Sequence, residues 1–409
     1  MARHIPGGLR RREFRLLFGA QVISMVGDRI VPVALAFAVL GLTGSVKDLG
    51  FVLAAQTLPL VGFLVVGGVF ADRLPRRTVM VSADLVRFAS QGLVALLLIT
   101  GHARLWHLIV LQAVHGTGTA FFNPAAVGLT PLTVPVEELQ EANALRGIAM
   151  SAAQIAGPSL SGALVTTVGS GWALAADSGT FGASALLLGL LRLPRHERVA
   201  VQPFLRDLRD GWREFTARTW VWVIVVGASA VNGLLASFFV LGPAIAKRSL
   251  GGAGHWAAIV AAMGVGSLLG GVAALRVRVR RPLFAGSLLL WLWAPPLLLL
   301  GLGAPTAPIA AAALVAGLGN ILFNALWETA LQQHVPSEAL SRVSAYDWFG
   351  SLAVQPLAFA VVGLVAGALS VDTTLLAASA LLAATTLLMA AVPDVQKVRI
   401  MRKKHIETI

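Results

Sequence analysis

The sequence contains no cysteine and few charged side chains. The absence of cysteine from all 409 residues excludes disulfide bonds and metal sites built from thiolates. Only 12% of the residues are charged, whereas soluble domains carry roughly 25%. The chain also lacks the HExxH, GxxxxGKS/T and GxSxG motifs of zinc hydrolases, P-loop nucleotide-binding proteins and serine hydrolases. These absences argue against an enzyme and against direct use of ATP, and no cofactor is expected.

Apolar residues, by contrast, are abundant. They make up 57% of the chain, and the mean hydropathy is +0.80. This composition is typical of a protein embedded in a lipid bilayer. The net charge of +13 could suggest a nucleic-acid partner, but no long polar segment exists to carry a basic binding face. We therefore expect the lipid bilayer as a partner and no nucleic acid.

The apolar residues form long runs. A helix needs about 20 of them to cross the hydrocarbon core, and the breaks at charged, glycine and proline residues divide the chain into twelve predicted spans. The spans cover residues 16–40, 48–71, 78–100, 105–127, 143–167, 171–192, 219–245, 255–275, 283–303, 308–332, 343–368 and 371–393. The basic N-terminal stretch resembles a signal sequence, but the apolar segment after it is too long and lacks a cleavage site. It is interpreted as the start of an uncleaved first span.

Lysines and arginines predict the orientation of these spans. With the N-terminus in the cytoplasm, the cytoplasmic segments hold 25 of them and the exported loops hold 4. Short exported loops exclude basic residues, so this bias indicates an even number of spans and two cytoplasmic termini. The expected location is the inner membrane of a bacterium, and a monomer is expected.

The chain also repeats itself. GGVFADRLPRR at 67–77 returns as GGVAALRVRVRR at 270–281. Four further residues return 201 positions later: Asn123 as Asn324, Pro135 as Pro336, Gln154 as Gln355 and Gly162 as Gly363. Four matches at one offset, together with the repeated loop, indicate a duplication. Since each copy has an even number of spans, both copies share one orientation and are expected to be related by an axis along the membrane normal.

The sequence therefore predicts an all-α integral membrane protein of twelve helices in two six-helix bundles. Residues 1–192 and 219–409 form the bundles, and 193–218 form a cytoplasmic linker. Within the linker, Phe204, Leu208 and Trp212 are spaced four residues apart, which predicts a short amphipathic helix at the membrane surface. Two such bundles without a soluble domain favour transport by alternating access to a cavity near the middle of the membrane.

The loop after span 2 carries a recognisable pattern. Gly68, Asp72, Arg73, Arg76 and Arg77 resemble the signature loop of the major facilitator superfamily, although Pro75 stands where that signature usually has glycine. The segments FRLLFGAQVISMVGD, FFNPAAVGLTPLTVP, EANAL and GPSLSGALV resemble its bacterial branch of enterobactin-type siderophore exporters and macrolide or multidrug efflux proteins. The similarity covers essentially the whole chain and implies the major facilitator fold.

This resemblance also implies a conformational latch at the signature loop. Asp72 would cap the N-terminus of a helix in the other half, where a carboxylate is stabilised by free amides and the helix dipole. Arg73, Arg76 and Arg77 would keep the loop cytoplasmic and pair with acids such as Asp84. The second copy has Leu275 in place of the aspartate. The alternative is that the loop only anchors the topology through its positive charge.

Ionisable residues within the spans are costly and suggest function. Asp28 in span 1 is the first candidate for proton coupling, and Glu328 in span 10 is the second. The alternative for Asp28 is a structural contact with Arg29 or with the backbone. Arg87 with Asp84, and Arg146 with Asp347, are candidate intramembrane ion pairs. Asp177 is interpreted as solvated near the outer end of span 6.

Polar and aromatic side chains mark a candidate cavity. By resemblance, spans 1, 4, 7 and 10 line it, and most of the polar residues within the spans lie on these helices. The cavity candidates are His115, Thr119, Phe122, Asn123, Asn232, Asn324, Trp327 and Gln355. Few charges and many aromatic rings favour a bulky amphipathic substrate over a sugar or a small anion.

These observations predict a secondary active exporter of small amphipathic organic molecules such as drugs or natural products. The expected mechanism is antiport with protons, which would make multidrug resistance its physiological outcome. A dedicated siderophore or natural-product exporter of narrow specificity is the alternative within transport. A membrane sensor or enzyme that uses the same fold without transport is the alternative of another class.

Overall fold

The computed structural model describes residues 11–135, 138–192, 212–277 and 279–399. Within these ranges the regular structure is helical, and no strand occurs. The helices are α1 Arg12–Thr43, α2 Val46–Arg73, α3 Arg76–Ile99, α4 Leu105–Leu129, α5 Leu139–Thr167, α6 Ser170–Gly189, α7 Thr219–Ile245, α8 Ala253–Ala274, α9 Pro282–Leu290, α10 Ala294–Gly301, α11 Thr306–His334, α12 Ser337–Ala353, α13 Gln355–Leu369, α14 Val371–Ala391 and α15 Pro393–Lys397. The prediction of an all-α protein is confirmed.

Helix ends follow local sequence signals. α1 stops at Gly44, whose φ of 68° suits glycine, and the Gly44 amide donates to the Leu40 carbonyl. The hydroxyl of Ser45 then accepts from the Asp48 amide at 3.2 Å, which caps the start of α2. α7 continues into a π-helical turn at Ala246–Leu250 and ends at Gly251, with a φ of 99°. Each of these tight connections ends one helix and starts the next within a few residues.

Prolines interrupt two of the predicted spans. The ninth consists of α9 and α10, joined by a 3₁₀ turn at Trp291–Trp293, with Pro295 and Pro296 in the first turn of α10. The eleventh consists of α12 and α13, with Pro356 in the first turn of α13. Proline lacks the amide that would continue the helical ladder but fits the first turn of a new helix. Hydropathy shows the length of these spans but not their interruption.

Ten of the described helical segments are long and apolar enough to cross a membrane. α4 and α6 lie at the fourth and sixth predicted spans but are not among the ten. Both helices carry polar side chains, such as Gln112 and His115 in α4 and Asp177 in α6, which lower their hydropathy. The number of twelve spans stays a prediction.

Two compact units make up the chain. Unit 1 contains the described residues of Met1–Ala200, Val240–Ala261 and Phe359–Ala368. Its core includes Leu35 and Val39 of α1, Leu49 of α2, Leu108 of α4 and Leu174 of α6. A second cluster in the same unit lies around Met80 and Leu129 of α3 and α4. The apolar faces of α1 to α6 are therefore buried against one another.

Unit 2 contains the described residues of Val201–Phe239, Ala262–Ala358 and Leu369–Ile409. An apolar cluster in this unit includes Val221 of α7, Phe323 and Trp327 of α11, and Met389 of α14. Most of the predicted linker helix lies outside the described residues. Residues 212–216 are helical, and the ring of Trp212 stacks on that of Phe215 with the centroids 5.8 Å apart.

Glycines at matching positions of the repeat make matching contacts. A Cβ on Gly116 of α4 would lie 1.9 Å from the Gln56 carbonyl oxygen of α2. A Cβ on Gly317 of α11, 201 residues later, would lie 2.2 Å from the Met263 carbonyl oxygen of α8. Any side chain at either glycine would separate two helices that touch through their backbones. Each half thus uses a glycine at the same place in the repeat to bring its fourth span against its second.

Candidate functional site

Four helices of unit 1 enclose a cluster of ionisable side chains around Arg87. α3 contributes Asp84 and Arg87, both fully buried. α1 contributes Asp28, and α6 contributes Asp177, which is also fully buried. A buried guanidinium needs a counter-charge and hydrogen bonds to offset its loss of hydration. Four ionisable side chains therefore lie together inside a bundle whose other contacts are mainly apolar.

Asp84 is the direct ion-pair partner of Arg87. The Arg87 Nη2 donates to the Asp84 Oδ1 one helical turn away, and the two groups form an ion pair. The other carboxylate oxygen, Oδ2, accepts from the Ser184 hydroxyl of α6 at 2.6 Å. Asp84 is therefore held from two helices, with each oxygen engaged, and is a fixed counter-ion. It makes no ion pair with the arginines of the signature loop within the described residues.

Aromatic rings form the walls around the Arg87 side chain. Its guanidinium carbon lies 4.0 Å from the ring centroid of Phe122 and 4.3 Å from that of Phe181. Both distances allow cation–π attraction, which is stronger away from water. A Cβ on Gly118 of α4 would lie 3.0 Å from the Arg87 Cγ, so the glycine leaves room for the stem. The two rings and the space at Gly118 therefore allow the guanidinium to extend towards α1.

Asp28 is the accessible member of the cluster. Its Oδ1 lies 3.6 Å from the Arg87 Nη1, which is within ion-pair range but beyond a hydrogen bond. Its side chain is 38% exposed, while that of Arg87 is 0% exposed. Arg29, the other predicted partner, has its Cβ facing Gly157 of α5. The structure thus places Asp28 at the open side of the cluster, next to Arg87.

The interpretation of Asp177 as a solvated residue is wrong. Asp177 is not solvated near a helix end, because its side chain is fully buried between helices. Neither of its carboxylate oxygens has a hydrogen-bond partner. Asp177 also lies within electrostatic range of both Asp28 and Arg87. Sequence alone gave no signal for this arrangement, since α6 and α1 meet through tertiary packing.

Further polar side chains are buried beside the cluster. The Gln112 Nε2 of α4 donates to the Gln91 Oε1 of α3 at 3.0 Å. His115 is 2% exposed, and its ring lies 5.6 Å from that of Phe181. His115 and Phe122, predicted to line a cavity, are therefore packed between helices. Within the described residues, no group of three or more histidine or acidic side chains could hold a metal ion.

The remaining cavity candidates of α4 occupy different environments. The Thr119 hydroxyl donates to the His115 carbonyl at 3.0 Å, so it is satisfied within its own helix. Asn123, one turn further along, is exposed. Of the predicted stripe of three residues, His115 is buried, Thr119 is half-buried and Asn123 is exposed.

Unit 2 holds a separate polar cluster around Asp347 of α12. The Trp327 indole of α11 donates to the Asp347 Oδ2 at 2.9 Å, and the Ser351 hydroxyl lies 3.4 Å from Oδ1. The Asn232 amide of α7 donates to the Ser351 carbonyl at 3.0 Å. Trp327 and Asn232, predicted to line a cavity, thus join α7, α11 and α12 instead. An Arg146–Asp347 ion pair stays a prediction.

Two residues of α11 remain accessible in unit 2. Glu328, the second candidate for proton coupling, is exposed. Asn324, one turn before it, is also exposed and donates to the Asn320 carbonyl at 3.0 Å. Gln355, at the start of α13, is half-buried. These three side chains are exposed or half-buried, whereas that of Trp327 is buried.

The signature loop is described only in part. Asp72 and Arg73 form the last turn of α2, but their side chains lie outside the described residues, so the latch stays a prediction. Arg76 begins α3. Arg77 donates from Nε to the Leu188 carbonyl at 3.1 Å and from Nη2 to that of Gly189. It therefore satisfies the last carbonyls of α6 and complements the helix dipole there.

Comparison with known proteins identifies the architecture. The bacterial homolog of the human lysosomal transporter Spinster, in an inward-facing and unoccupied conformation, superimposes with a TM-score of 0.71 at 15% identity, over 92% of this chain and 96% of that one. The nucleoside transporter NupG superimposes with a TM-score of 0.70 at 14% identity, over 92% and 99%. At these identities the similarity shows a shared fold.

Several curated relatives are named as exporters. Macrolide efflux protein A of Streptococcus pyogenes is 25% identical over 49% of this chain and 50% of its own length. The multidrug efflux pump Tap of Mycolicibacterium fortuitum is 29% identical over 45% and 46%. The enterobactin exporter EntS of Shigella boydii is 28% identical over 63% and 62%. The chain thus spans about half to under two thirds of the length of these relatives.

A family profile covers nearly the entire chain. The family described as transmembrane secretion effector matches residues 6–408. This match agrees with the resemblance seen in the signature loop, and the family consists of transporters and not of enzymes. The chain belongs to the transmembrane secretion effector family of the major facilitator superfamily.

Proposed function

We propose that this transporter is a secondary active exporter of small amphipathic organic molecules and that it exchanges them for protons by alternating access. The proposal includes twelve spans in two bundles related by a pseudo-two-fold axis along the membrane normal, with residues 193–218 as a linker and with both termini in the cytoplasm. The names of the relatives support export. The charge bias of the loops supports the orientation.

The pairing of Asp28 with Arg87 carries this proposal. Arg87 is fully buried and fixed by Asp84, while Asp28 is partly exposed and lies 3.6 Å away. A proton that arrives at Asp28 removes its negative charge and ends its attraction to Arg87. α1 is then no longer tied to α3 by an ion pair. Protonation at an accessible carboxyl can in this way bias one conformation of the transporter over another.

Gradient-driven efflux from proteoliposomes tests the proposal. The probes are ethidium, an amphipathic cation, and erythromycin, a macrolide, with an imposed pH gradient. Asp28→Asn should reduce gradient-driven transport by about tenfold, which lies within the usual range of roughly 5- to 150-fold for coupling between two sites. Asp394→Asn is the matched control, because Asp394 is an acid at the end of the chain, paired with Lys397 and far in sequence from the cluster.

The outcome separates three possibilities. Full gradient-driven transport by Asp28→Asn would show that Asp28 does not couple proton movement, and Glu328→Gln would then be the next variant. Transport that is independent of the pH gradient in the unmodified protein would refute antiport with protons. Failure to transport either probe under any gradient would contradict the proposed substrate class.

A siderophore is the second candidate substrate. The enterobactin exporter shares 28% identity over 263 residues, compared with 202 for the macrolide efflux protein of Streptococcus. Competition by enterobactin against erythromycin efflux tests this alternative. Strong transport of enterobactin without transport of ethidium or erythromycin would favour a dedicated exporter.

A further inference from the structure

Asp177 is the buried ionisable group that the proposed mechanism leaves without a role. Its side chain is 0% exposed, and both carboxylate oxygens lack hydrogen-bond partners. An ionised carboxylate without partners in an apolar interior is costly, whereas the protonated acid is neutral and fits the same space. The burial and the missing hydrogen bonds therefore favour a protonated Asp177 in this conformation.

Close packing of α6 on α1 brings Asp177 beside Asp28. A Cβ on Gly27 would lie 2.8 Å from the Asp177 Oδ1 and 2.0 Å from the Thr180 Oγ1. Only glycine leaves space for both atoms at this crossing. Gly27 directly precedes Asp28 in the chain. Because Gly27 has no side chain, the Asp177 carboxyl can pack against α1 close to Asp28.

The charged groups around Asp177 are few. On α1 the charged groups are Asp28 and the adjacent Arg29, whose charge acts on Asp28, and on α3 they are Asp84 and Arg87. α4 contributes the buried ring of His115, next to Phe181 of α6. α5 also packs against α6, and its basic residue, Arg146, lies near its N-terminal end, far in sequence from the α5–α6 turn. Three carboxyls thus share one buried guanidinium.

Arg87 can compensate only part of this negative charge. Asp84 holds its Nη2, while its Nη1 and Nε have no hydrogen-bond partner. These free donors can pair with one further carboxylate, either Asp28 or Asp177. Two carboxylates competing for one cation titrate as a coupled pair, in which a proton on one favours ionisation of the other.

We propose that Asp177 is a second proton-binding residue, which exchanges its proton with Asp28 as the free donors of Arg87 shift from one carboxylate to the other. In the present state Asp28 is ionised beside Arg87 and Asp177 holds the proton. After the exchange Asp28 holds the proton and Asp177 is ionised beside Arg87. One proton moves, and the total charge is unchanged. This inference rests on the proposed function, because it makes Asp177 the buried group that gives a proton to Asp28 and takes it back.

Infrared spectroscopy of the purified transporter tests the inference without a substrate. Protonated carboxyl groups have a carbonyl stretch that carboxylates lack. The difference between unmodified protein and Asp177→Asn at neutral pH should contain such a band. In an Asp28→Asn background, which mimics protonated Asp28, the band assigned to Asp177 should lose about half of its intensity or more, because the two sites are coupled.

Two results would overturn the inference. Absence of the band would show that Asp177 is ionised in the unmodified protein. An equally strong band in both backgrounds would show that Asp177 holds a proton without exchanging it with Asp28. Neither result depends on transport, so failure of this inference is distinguishable from failure of antiport, which the Asp28→Asn efflux experiment decides.

Transport provides the second readout. Asp177→Asn should reduce gradient-driven efflux of ethidium by about tenfold, while substrate counterflow, which needs no net proton movement, should stay within about twofold of the unmodified protein. Thr180→Val is the matched control, because it alters the same contact with Gly27 and leaves the carboxyl in place. Equal loss of counterflow and gradient-driven efflux would indicate a structural role and refute the exchange.

Discussion

Removal of the Arg87 charge should destabilise unit 1 strongly. Arg87→Met keeps a long apolar stem between the rings of Phe122 and Phe181 but leaves Asp84 without a counter-ion. Loss of one partner of a buried ion pair typically costs about 3 to 5 kcal/mol. The two cation–π contacts add roughly 0.5 to 2 kcal/mol each. We therefore expect the free energy of unfolding to fall by at least about 3 kcal/mol, the lower end of the ion-pair range.

A double-mutant cycle separates charge from packing. Asp84→Asn removes the uncompensated charge and keeps a carbonyl oxygen for the Ser184 hydroxyl. The double variant with Arg87→Met should recover about 2 kcal/mol or more of the loss, since residues in direct contact are not additive. Denaturant unfolding in detergent, followed by tryptophan fluorescence, gives each free energy. Strict additivity of the two single losses would refute the argument that the unpaired charge causes the destabilisation.

Three shorter predictions concern other contacts within unit 1. Gly27→Ala should destabilise the fold by about 1 to 3 kcal/mol through overpacking, and Thr180→Ala should recover part of it in thermal melts because the nearer contact atom is removed. Arg77→Gln should cost about 1 kcal/mol through loss of hydrogen bonds to the end of α6, measurable by the same unfolding assay. The hydrogen bond from Arg11 to Glu138 raises the pKa of the Arg11 guanidinium. A base whose pKa is raised on folding stabilises the fold fully below its ordinary pKa and loses this effect as the pH rises through the raised value. For an arginine both values lie far above neutral pH, so Arg11→Gln should not change the slope of stability between about pH 6 and 9.

Hydropathy and spacing predict much of the fold. Long apolar runs locate the helices, because a bilayer requires about 20 apolar residues for each crossing. The spacing of three residues between Asp84 and Arg87 places both on one helix face, so their contact could be expected from sequence. In contrast, the burial of Asp177 depends on how α6 crosses α1 at Gly27. Periodicity within one helix carries no information on such a crossing.

The cavity candidates show the same limit. His115, Phe122 and Trp327 have the residue types that a cavity for an amphipathic substrate would use, yet the structure packs all three between helices. Which face of an apolar helix meets a neighbour is not visible in a span that is apolar on every side. Glu328 and Asn123 remain accessible because their helix faces are not covered within their units.

The two copies of the repeat differ where the proposed mechanism needs charge. The segment that corresponds to Asp84 and Arg87 reads AGSLLL at 285–290, without an ionisable residue. The position 201 residues after Asp177 is Ala378, and the one after Asp28 is Ser229. The glycines that set helix contacts, by contrast, recur as Gly116 and Gly317. This helix contact is thus common to both copies, while the fully buried charged side chains among the described residues belong to the first copy. If the duplication supplied the scaffold, then proton coupling arose by divergence of the first copy. Charge-neutralising variants of Asp28, Arg87 and Asp177 should then reduce coupling more than substitutions of Ser229, Leu288 and Ala378, which stand 201 residues later.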